Sequence, residues 1–430
     1  MERTYSPGQL NLLQIPEIFE LDCVSGSISD SGAGSGSYVC VLLPVVVTYR
    51  TSERLSGDSQ YRANEIAIAK RLSVVREIEL ISRRQRFCTD TIHVGTMKAV
   101  IPAAGQGTRL YPQTHTKPKP MVRVAGKPIL GHILDGLVDS SIDDVVIVVG
   151  VMKDHVIEYV DNAYAADLNV EYAEQEHTEG LGHCIYQARD CFDDESMCIL
   201  LGDMLFEDGY ESFVKSHESL GDVDGSIGVK RVDAPSNYGI VTPDGDEIAK
   251  LEEKPDDPDS NLAISGIYFI EDTDGLFDAI GYFIDNEIRG AGDEYQLTDA
   301  LQRMLELGAE FGTFEVGDWY DCGRPETLLK ANRVLLESTP GDERHTSNNS
   351  VVIPPVDIGN NVNIEGSVVG PYVSIDDGAT VVDSRVRDTI VGTNSKLSDV
   401  NLAETIVGNN SEVGGTPSKL NVGDSSEVNL

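Results

Sequence analysis

Lys98-Ala99-Val100-Ile101-Pro102-Ala103-Ala104-Gly105-Gln106-Gly107-Thr108-Arg109-Leu110, followed ten residues after the arginine by Lys119-Pro120, is the stretch on which the fold turns. A short apolar run suited to a buried strand passes directly into a loop with glycines at Gly105 and Gly107. That order is what a phosphate-cradling turn requires, because glycine lets backbone N–H groups approach an anion closely and adopts positive φ where needed. Arg109 adds a rigid fork of donors for phosphate oxygens. Lys119, held between Pro118 and Pro120, adds a second cation on a stiff segment. The pattern lacks the Gly-Lys-Ser/Thr of a Walker loop and the third glycine of a dinucleotide fingerprint, and a Gly-x-Gly alone marks only a turn.

Outward from this stretch, strand-like and helix-like runs alternate. Strands are expected over Lys98–Ala103, Val145–Gly150, Asn169–Glu174 and Met197–Leu201; helices over Ile129–Val138, Asp154–Asn162, Leu181–Cys191 and Tyr210–Glu218. Such alternation specifies an α/β domain with a parallel, helix-covered sheet and ligands at the carboxyl ends of its strands. Gly105, Gln175 and Asp203 each follow a strand and should gather on one edge. Residues 226–269 are richer in β pattern and turn signals, which suggests a strand-rich insertion lidding the site. Two helices, Gln296–Leu307 and Pro325–Leu336, close the domain.

After Pro340 helical periodicity stops. Ile358, Ile364, Val369, Ile375 and Val381 stand about six apart, and Ile406-Val-Gly-Asn-Asn-Ser repeats the theme. Hexapeptide spacing of this kind describes a parallel β-helix in which each aliphatic residue stacks on its neighbour in the next coil; the bland alternative is a polar, Asn/Gly-rich tail.

Composition narrows the function classes. The 430 residues suffice for two or three domains, and 40% hydrophobic content supports a core. A formal charge of −39 argues against nucleic acid and anionic membranes as partners. So acidic a surface suits a salt-accumulating organism, where a short Debye length weakens self-repulsion. The seven cysteines show neither Cys-x-x-Cys pairs nor zinc spacing with His, which fits reduced thiols in a cytoplasm. The longest apolar run, Tyr38 to Tyr49, is broken by Pro44 and too short to span a bilayer.

Charge also divides the chain. Residues 1–96 carry 10 Lys and Arg against 11 Asp and Glu, whereas residues 97–430 carry 23 against 61. With its Gly/Ser tract and a basic helix-like patch from Ala63 to Arg84, the first segment is expected to be a poorly ordered extension. Met97 directly precedes the first strand, which favours a start placed too far upstream over a regulatory arm or a docking helix. The expected organisation is therefore residues 1–96 as extension, 97–340 as the α/β domain and 350–430 as the β-helix.

Gly105-x-Gly107-Thr108-Arg109-Leu110, Lys117-Pro118-Lys119-Pro120-Met121-Val122 and Ala125-Gly126-Lys127-Pro128-Ile129-Leu130 together resemble the signature of the nucleotide-sugar pyrophosphorylases. These enzymes join a sugar 1-phosphate to an NTP; the sub-family making dTDP-glucose or UDP-glucose is the nearest in pattern. The resemblance runs from about Met97 to Leu430. It implies a Rossmann-like domain with a mixed, mostly parallel sheet and a C-terminal left-handed parallel β-helix that assembles a homo-oligomer. The reaction implied is attack of the sugar-phosphate oxygen on the α-phosphorus with loss of pyrophosphate, which needs positioning and charge neutralisation but no protein nucleophile.

The same resemblance distributes roles. Arg109 and Lys119 are the catalytic cations; Ala104, Gly105, Gly107 and Thr108 bind nucleotide; Gln175 and Gly180 read the base. Tyr238, Gly239, Glu253, Lys254 and Gly266 bind the sugar, with Glu252 adjacent to Glu253 should the register differ by one. Asp203 and Asp321 are the Mg2+ ligands, and Met204 stands where the family commonly has Asn. dTTP or UTP with glucose 1-phosphate is the leading substrate pair. Alternatives are a mannose-1-phosphate guanylyltransferase, a uridylyltransferase that also transfers acetyl groups, and a non-catalytic translation-factor scaffold. Acetyl transfer wants a histidine base in the coils, and the last histidine, His345, precedes them.

Overall fold

The computed structural model describes residues 97–105, 107–245, 247–338 and 349–415; the extension 1–96 and the repeats beyond 415 lie outside the described residues. Strand β1 (Met97–Pro102) is central because its alternate residues are apolar on both faces: Ala99 and Ile101 enter one core and Val100 the other, all fully buried. It pairs in parallel with β2 (Asp144–Val149), which pairs with β3 (Asn169–Glu174), and on its other side with β4 (Ser196–Leu200). The carboxyl ends of these four strands share one edge.

Beyond β4 the sheet turns antiparallel. After β5 (Met204–Phe206), which lies off the sheet, come β6 (Gly225–Arg231), the hairpin β7 (Gly239–Asp244) and β8 (Glu247–Glu253), and β9 (Leu262–Ile270). The expected lid over 226–269 is thus part of the main sheet: β9 pairs with β4 and β6, and β10 (Phe311–Glu315) adds in parallel to β6. The reason is the apolar run of β9, in which Ile267, Tyr268, Phe269 and Ile270 are buried and need cover on both faces. Gly266, at φ 91°, marks the point where β9 passes from β7 to β4, and its carbonyl accepts from the Leu201 N–H at 3.1 Å. β11 (Trp319–Asp321) pairs with β5, setting Asp321 opposite Met204.

Helices cover both faces. α1 (Ile129–Val138) buries Ile129, Leu130, Ile133, Leu134 and Leu137, a helical stripe whose truncation at any one Leu costs about 2–5 kcal/mol. α2 (Lys153–Ala163) lies on the same face. α3 ends earlier than expected, spanning Leu181–Tyr186; a 3₁₀ turn at Arg189–Cys191 follows and turns the Cys191 carbonyl out to accept from Lys98 Nζ at 2.7 Å. α4 (Tyr210–Glu218) joins α1, while α5 (Thr273–Asp285) and α6 (Leu297–Glu306) cover the other face with α3. No helix among the described residues is long and apolar enough to cross a membrane.

The last helix, α7 (Pro325–Ser338), starts with proline in its first turn, where the missing N–H costs nothing. It joins the α/β domain to the coils. Fully buried Asn332 accepts from the Ala125 N–H at 2.9 Å and the Ser374 hydroxyl at 2.6 Å, and Arg333 pairs with Asp388 of a coil. Ile390 of the coils packs into the same core as α1.

From Val351 the chain forms the parallel β-helix. Val351 pairs with Val368, Val368 with Arg385 and Arg385 with Asn401, so successive coils take 17, 17 and 16 residues, slightly fewer than three full hexads. Ile364, Val381, Leu397 and Val413 stack up one face, and Ile358, Ile375, Val391 and Val407 up another. The polar residues occupy the corners: Asn361, Gly378, Asn394 and Asn410 form one column of left-handed residues, and Gly366, Asp383 and Asp399 another. Asn, Asp and Gly bear positive φ at least cost, which explains a composition that otherwise suggests a disordered tail.

Candidate functional site

The edge formed by the carboxyl ends of β1, β3 and β4 opens on a cavity of about 590 Å3. The loop after β1 forms one wall, and its two glycines serve different ends. Gly107 has φ 61°, and a Cβ there would lie 2.8 Å from Lys119 Cβ. Gly105 has no atom within 4 Å of where its Cβ would be, so its open side faces space available to a ligand. The Thr114 hydroxyl donates to the Gly107 carbonyl at 2.7 Å and fixes the turn. Thr108 and Arg109 follow on the cavity wall; Arg109 is exposed and forms no ion pair among the described residues.

Opposite stand the groups that come after β4. Gly202 passes so close to β1 that a Cβ would lie 2.5 Å from the Pro102 carbonyl, and this brings Asp203 to the cavity. Lys119 Nζ donates to Asp203 and lies 3.7 Å from Asp321 Oδ1. The Cys322 N–H donates to the Asp203 carbonyl at 2.9 Å, and a side chain on Gly323 would collide with both Asp321 and Lys119. Two carboxylates from distant segments therefore converge on one cation. That is the donor set a Mg2+ ion needs when substrate phosphates complete its shell. Among the described residues no group of three His, Cys, Asp or Glu is arranged to hold a metal unaided.

The residues expected to read the base are also brought in. Gln175 follows β3, is 3% exposed, and donates from its side-chain amide to the Gly180 carbonyl at 3.4 Å. Gly180, at φ 113°, is required by the 294–296 segment, since a Cβ would meet the Tyr295 carbonyl at 2.6 Å. Ala104 lines a smaller neighbouring cavity of about 260 Å3 beside Gly105.

The residues expected to bind the sugar form a separate group that does not line the 590 Å3 cavity. The Lys254 N–H donates to the Tyr238 carbonyl at 3.1 Å, and Lys254 takes φ 45°, strained for a residue with a side chain. Glu253 Oε1 accepts from Lys254 Nζ at 2.5 Å and its Oε2 from the Thr298 hydroxyl at 2.8 Å, while Glu252 pairs with Lys250 at 2.8 Å. Gly239 lies close to Glu253, and Gly266 packs under Leu201 and Met204, next to Asp203. Asp299, beside Glu253, has its carboxyl pushed up by burial and by the Glu253 charge.

Sequence reasoning does not point to Glu294, Gly323, Leu201 or Gly202, all on the cavity wall, nor to Thr298. Gly202 and Gly323 lie beside Asp203 and Asp321 in sequence, next to residues that the sequence does single out. Burial pushes the Cys184 thiol on the cavity wall up to about 12, which keeps it protonated and unreactive.

The nucleotidyl transferase family model matches residues 98–338. Over 258 residues the chain is 35% identical to a bifunctional protein GlmU of Methanocaldococcus jannaschii; the match takes in 60% of this chain and 59% of that protein, so the chain spans about three fifths of the length of this relative. It is 32% identical over 324 residues to the glucose-1-phosphate thymidylyltransferase of Streptomyces griseus, with 71% of this chain and 89% of the relative covered. Among solved structures, a Bacillus anthracis protein assigned as a glucose-1-phosphate thymidylyltransferase, crystallised with sucrose, superposes with a TM-score of 0.50 at 25% identity over 57% of this chain and 98% of that one.

Proposed function

The chain belongs to the nucleotidyl transferase family, and from that membership we propose that it transfers a nucleotidyl group from dTTP or UTP to a sugar 1-phosphate, with glucose 1-phosphate as the acceptor. The observation that carries the reading is the meeting of Gly107, Arg109, Lys119 and Asp203 on one cavity whose far wall holds the buried amide of Gln175. An oxygen of the sugar phosphate attacks the α-phosphorus; the bond from that phosphorus to the bridging oxygen breaks, and pyrophosphate leaves with the electron pair. Arg109 and the backbone around Gly105 and Gly107 hold the triphosphate. Lys119 neutralises charge on the α-phosphate and steers the incoming anion, as preorganised cations do in phosphoryl transfer. Asp203 and Asp321 would hold a Mg2+ ion, which supplies charge neutralisation on the phosphates when bound. Glu253 accepts sugar hydroxyls, and Lys254 meets the sugar phosphate.

The alternative with a second, acetyl-transferring activity would need a base in the coils. Residues 346–430 contain no histidine to act as its base, and we assign the β-helix to self-assembly. A scaffold without catalysis would have no need of the phosphate-handling set that lines this cavity. The test is pyrophosphate release with four NTPs crossed against glucose, mannose and glucosamine 1-phosphates, in molar KCl with Mg2+. Release with dTTP or UTP and glucose 1-phosphate supports the proposal. Turnover confined to GTP and mannose 1-phosphate replaces the substrates, and no release with any pair overturns the enzyme reading.

A further inference from the structure

Lys119 opens the 3₁₀ turn Lys119–Met121, in a stretch whose backbone can do little to hold itself. Pro112, Pro118 and Pro120 have no N–H to donate. Among the described residues, the backbone hydrogen bonds of residues 108–121 only close local turns, each N–H reaching the carbonyl three residues back. None ties the stretch to a strand of the sheet. Side chains make the longer connections. The Thr114 hydroxyl reaches the Gly107 carbonyl within the α/β domain, and the other partners belong to the β-helix. Gln113 donates from its amide to the Ile406 carbonyl at 3.3 Å, Lys117 Nζ donates to Asn409 Oδ1 at 3.4 Å, and Arg123 Nε lies 2.8 Å from Asp376 Oδ1. Lys117 stands two residues before Lys119 and Arg123 four after it, so the cation of the site is bracketed by two cations bound to the coils.

Asp376 is the firmest of these anchors. It follows Ile375 of the stacked column, is 2% exposed, and its N–H donates to the Val391 carbonyl of the next coil at 2.9 Å. A carboxylate so buried needs compensating charge. Burial raises its carboxyl above the usual range, and the Arg123 and Lys117 charges oppose that rise. Its Oδ2 has no hydrogen-bond partner among the described residues, which leaves the cations of the Lys119 stretch as its counterpart. Apolar contacts close the same seam: Ile390 shares a core with Leu110 and Val122, and Met121 and Ile406 pack against it. The junction through Asn332 and the Arg333–Asp388 pair of α7 is separate, so the coils grip the α/β domain twice, and the second grip falls on the segment that carries Lys119.

We propose that Asp376 is a positioning residue for Lys119: through Arg123 and Lys117, and with Asn409 beside it, the β-helix is the fixed wall that keeps the Lys119 ammonium between Asp203 and Asp321. The β-helix then serves nucleotidyl transfer within its own chain, in addition to assembly. A cation held in place by a rigid support needs no reorganisation as charge develops on the α-phosphate, so loosening the support falls on the chemical step.

The inference rests on Lys119 acting in the transfer, and two readouts on the full chain separate the two. The first uses no substrate: the rate at which an amine-reactive acetylating ester modifies Lys119, resolved by mass spectrometry, with the exposed Lys215 as internal standard. In Asp376→Asn, Lys119 should react at least about threefold faster, as residues of a locally loosened segment do, with Lys215 unchanged. The second is the single-turnover rate in the wild-type and Lys119→Ala backgrounds. Asp376→Asn should lower it about tenfold in the first and less than about twofold in the second, because residues that act as a unit do not add. Arg123→Met/Asp376→Asn leaves no buried charge unpaired, should show the same pattern, and decides the matter if the single variant fails to fold. Unchanged labelling of Lys119, or an equal loss of rate in both backgrounds, overturns the positioning role. Faster labelling of Lys119 with a wild-type rate overturns Lys119 as a catalytic cation and leaves its support by Asp376 standing.

Discussion

Lys119 Nζ lies 3.7 Å from Asp321 Oδ1 while hydrogen-bonded to Asp203, so one ammonium is shared by two carboxylates that stand 118 residues apart in sequence. Cation and carboxylates hold one another in place before any substrate arrives. Neutralising one carboxylate changes what Lys119 faces and, under the proposed metal assignment, how well a Mg2+ ion would be held. Asp203→Asn and Asp321→Asn are expected to lower kcat by roughly 10²-fold or more, the scale of losing one electrostatic stabiliser. The double variant should lose less than the two losses multiplied, because residues that serve one ion act as a unit. Single-turnover rates over a Mg2+ titration check this. A wild-type kcat and Mg2+ dependence in either single variant removes that residue from the metal assignment.

Glu252 and Glu253 are neighbours with opposite surroundings: Glu252 pairs with Lys250, and Glu253 is tied to Thr298 and Lys254. Glu253→Gln should raise KM for the sugar 1-phosphate about tenfold or more while leaving KM for the NTP unchanged. Glu252→Gln should stay within about twofold of wild type, as surface substitutions do. Steady-state kinetics with each substrate varied in turn decides between them, and the reverse pattern shifts the sugar assignment by one residue.

How far the sequence carries can be argued from particular elements. α1, α4 and β3 are read to the residue, because apolar spacing and flanking turns agree. α3 is overrun because its apolar pattern continues through a 3₁₀ turn whose purpose, presenting the Cys191 carbonyl to Lys98, lies 93 residues away. Residues 226–269 show their strands but not their partners, since alternation specifies two faces and says nothing about which edge pairs with β4. At the site, Gly107, Arg109, Lys119 and Gln175 lie in contiguous motifs and are legible. Glu294 and Thr298 are not, because tertiary folding brings them beside the site residues from distant segments.

Asn332 makes a prediction about the junction with the β-helix. It is fully buried and satisfies the Ala125 N–H and the Ser374 hydroxyl, groups from opposite sides of α7. Asn332→Ala leaves both without a partner and should cost about 2–4 kcal/mol, each unsatisfied buried group contributing about 1–3. Differential scanning calorimetry checks this against Asn286→Ala, an exposed position whose amide bonds only within its own turn. Equal effects at the two sites would mean that the junction does not depend on Asn332.

The charge imbalance of residues 97–430, 23 basic against 61 acidic, makes a prediction about salt. Self-repulsion weakens as the Debye length falls from about 10 Å at 0.1 M to about 3 Å at 1 M. Tm should therefore rise steeply between 0.1 and 1 M KCl and more gently above. Choline chloride at equal ionic strength should reproduce most of the gain. A Tm independent of KCl would mean that the acidic surface does not limit stability.

The two glycines of the opening loop give the last prediction, because they should fail in different ways. Gly107→Ala meets two costs at once: a left-handed φ of 61°, worth about 1–2 kcal/mol for a residue with a Cβ, and a contact 2.8 Å from Lys119 Cβ that only movement of Lys119 relieves. Stability and kcat should both fall, and KM for both substrates should change together as Lys119 is displaced. Gly105→Ala meets neither cost, since its φ is not left-handed and no atom lies within 4 Å of the added methyl. Its Tm should match wild type. If the open side of Gly105 is where the triphosphate approaches the backbone, the methyl occupies ligand space, and KM for the NTP should rise at least about tenfold with KM for the sugar 1-phosphate unchanged. Thermal unfolding with steady-state kinetics on both variants separates the outcomes. Wild-type kinetics for Gly105→Ala would place the phosphates elsewhere in the cavity and leave Gly107 alone as the conformational requirement of the loop.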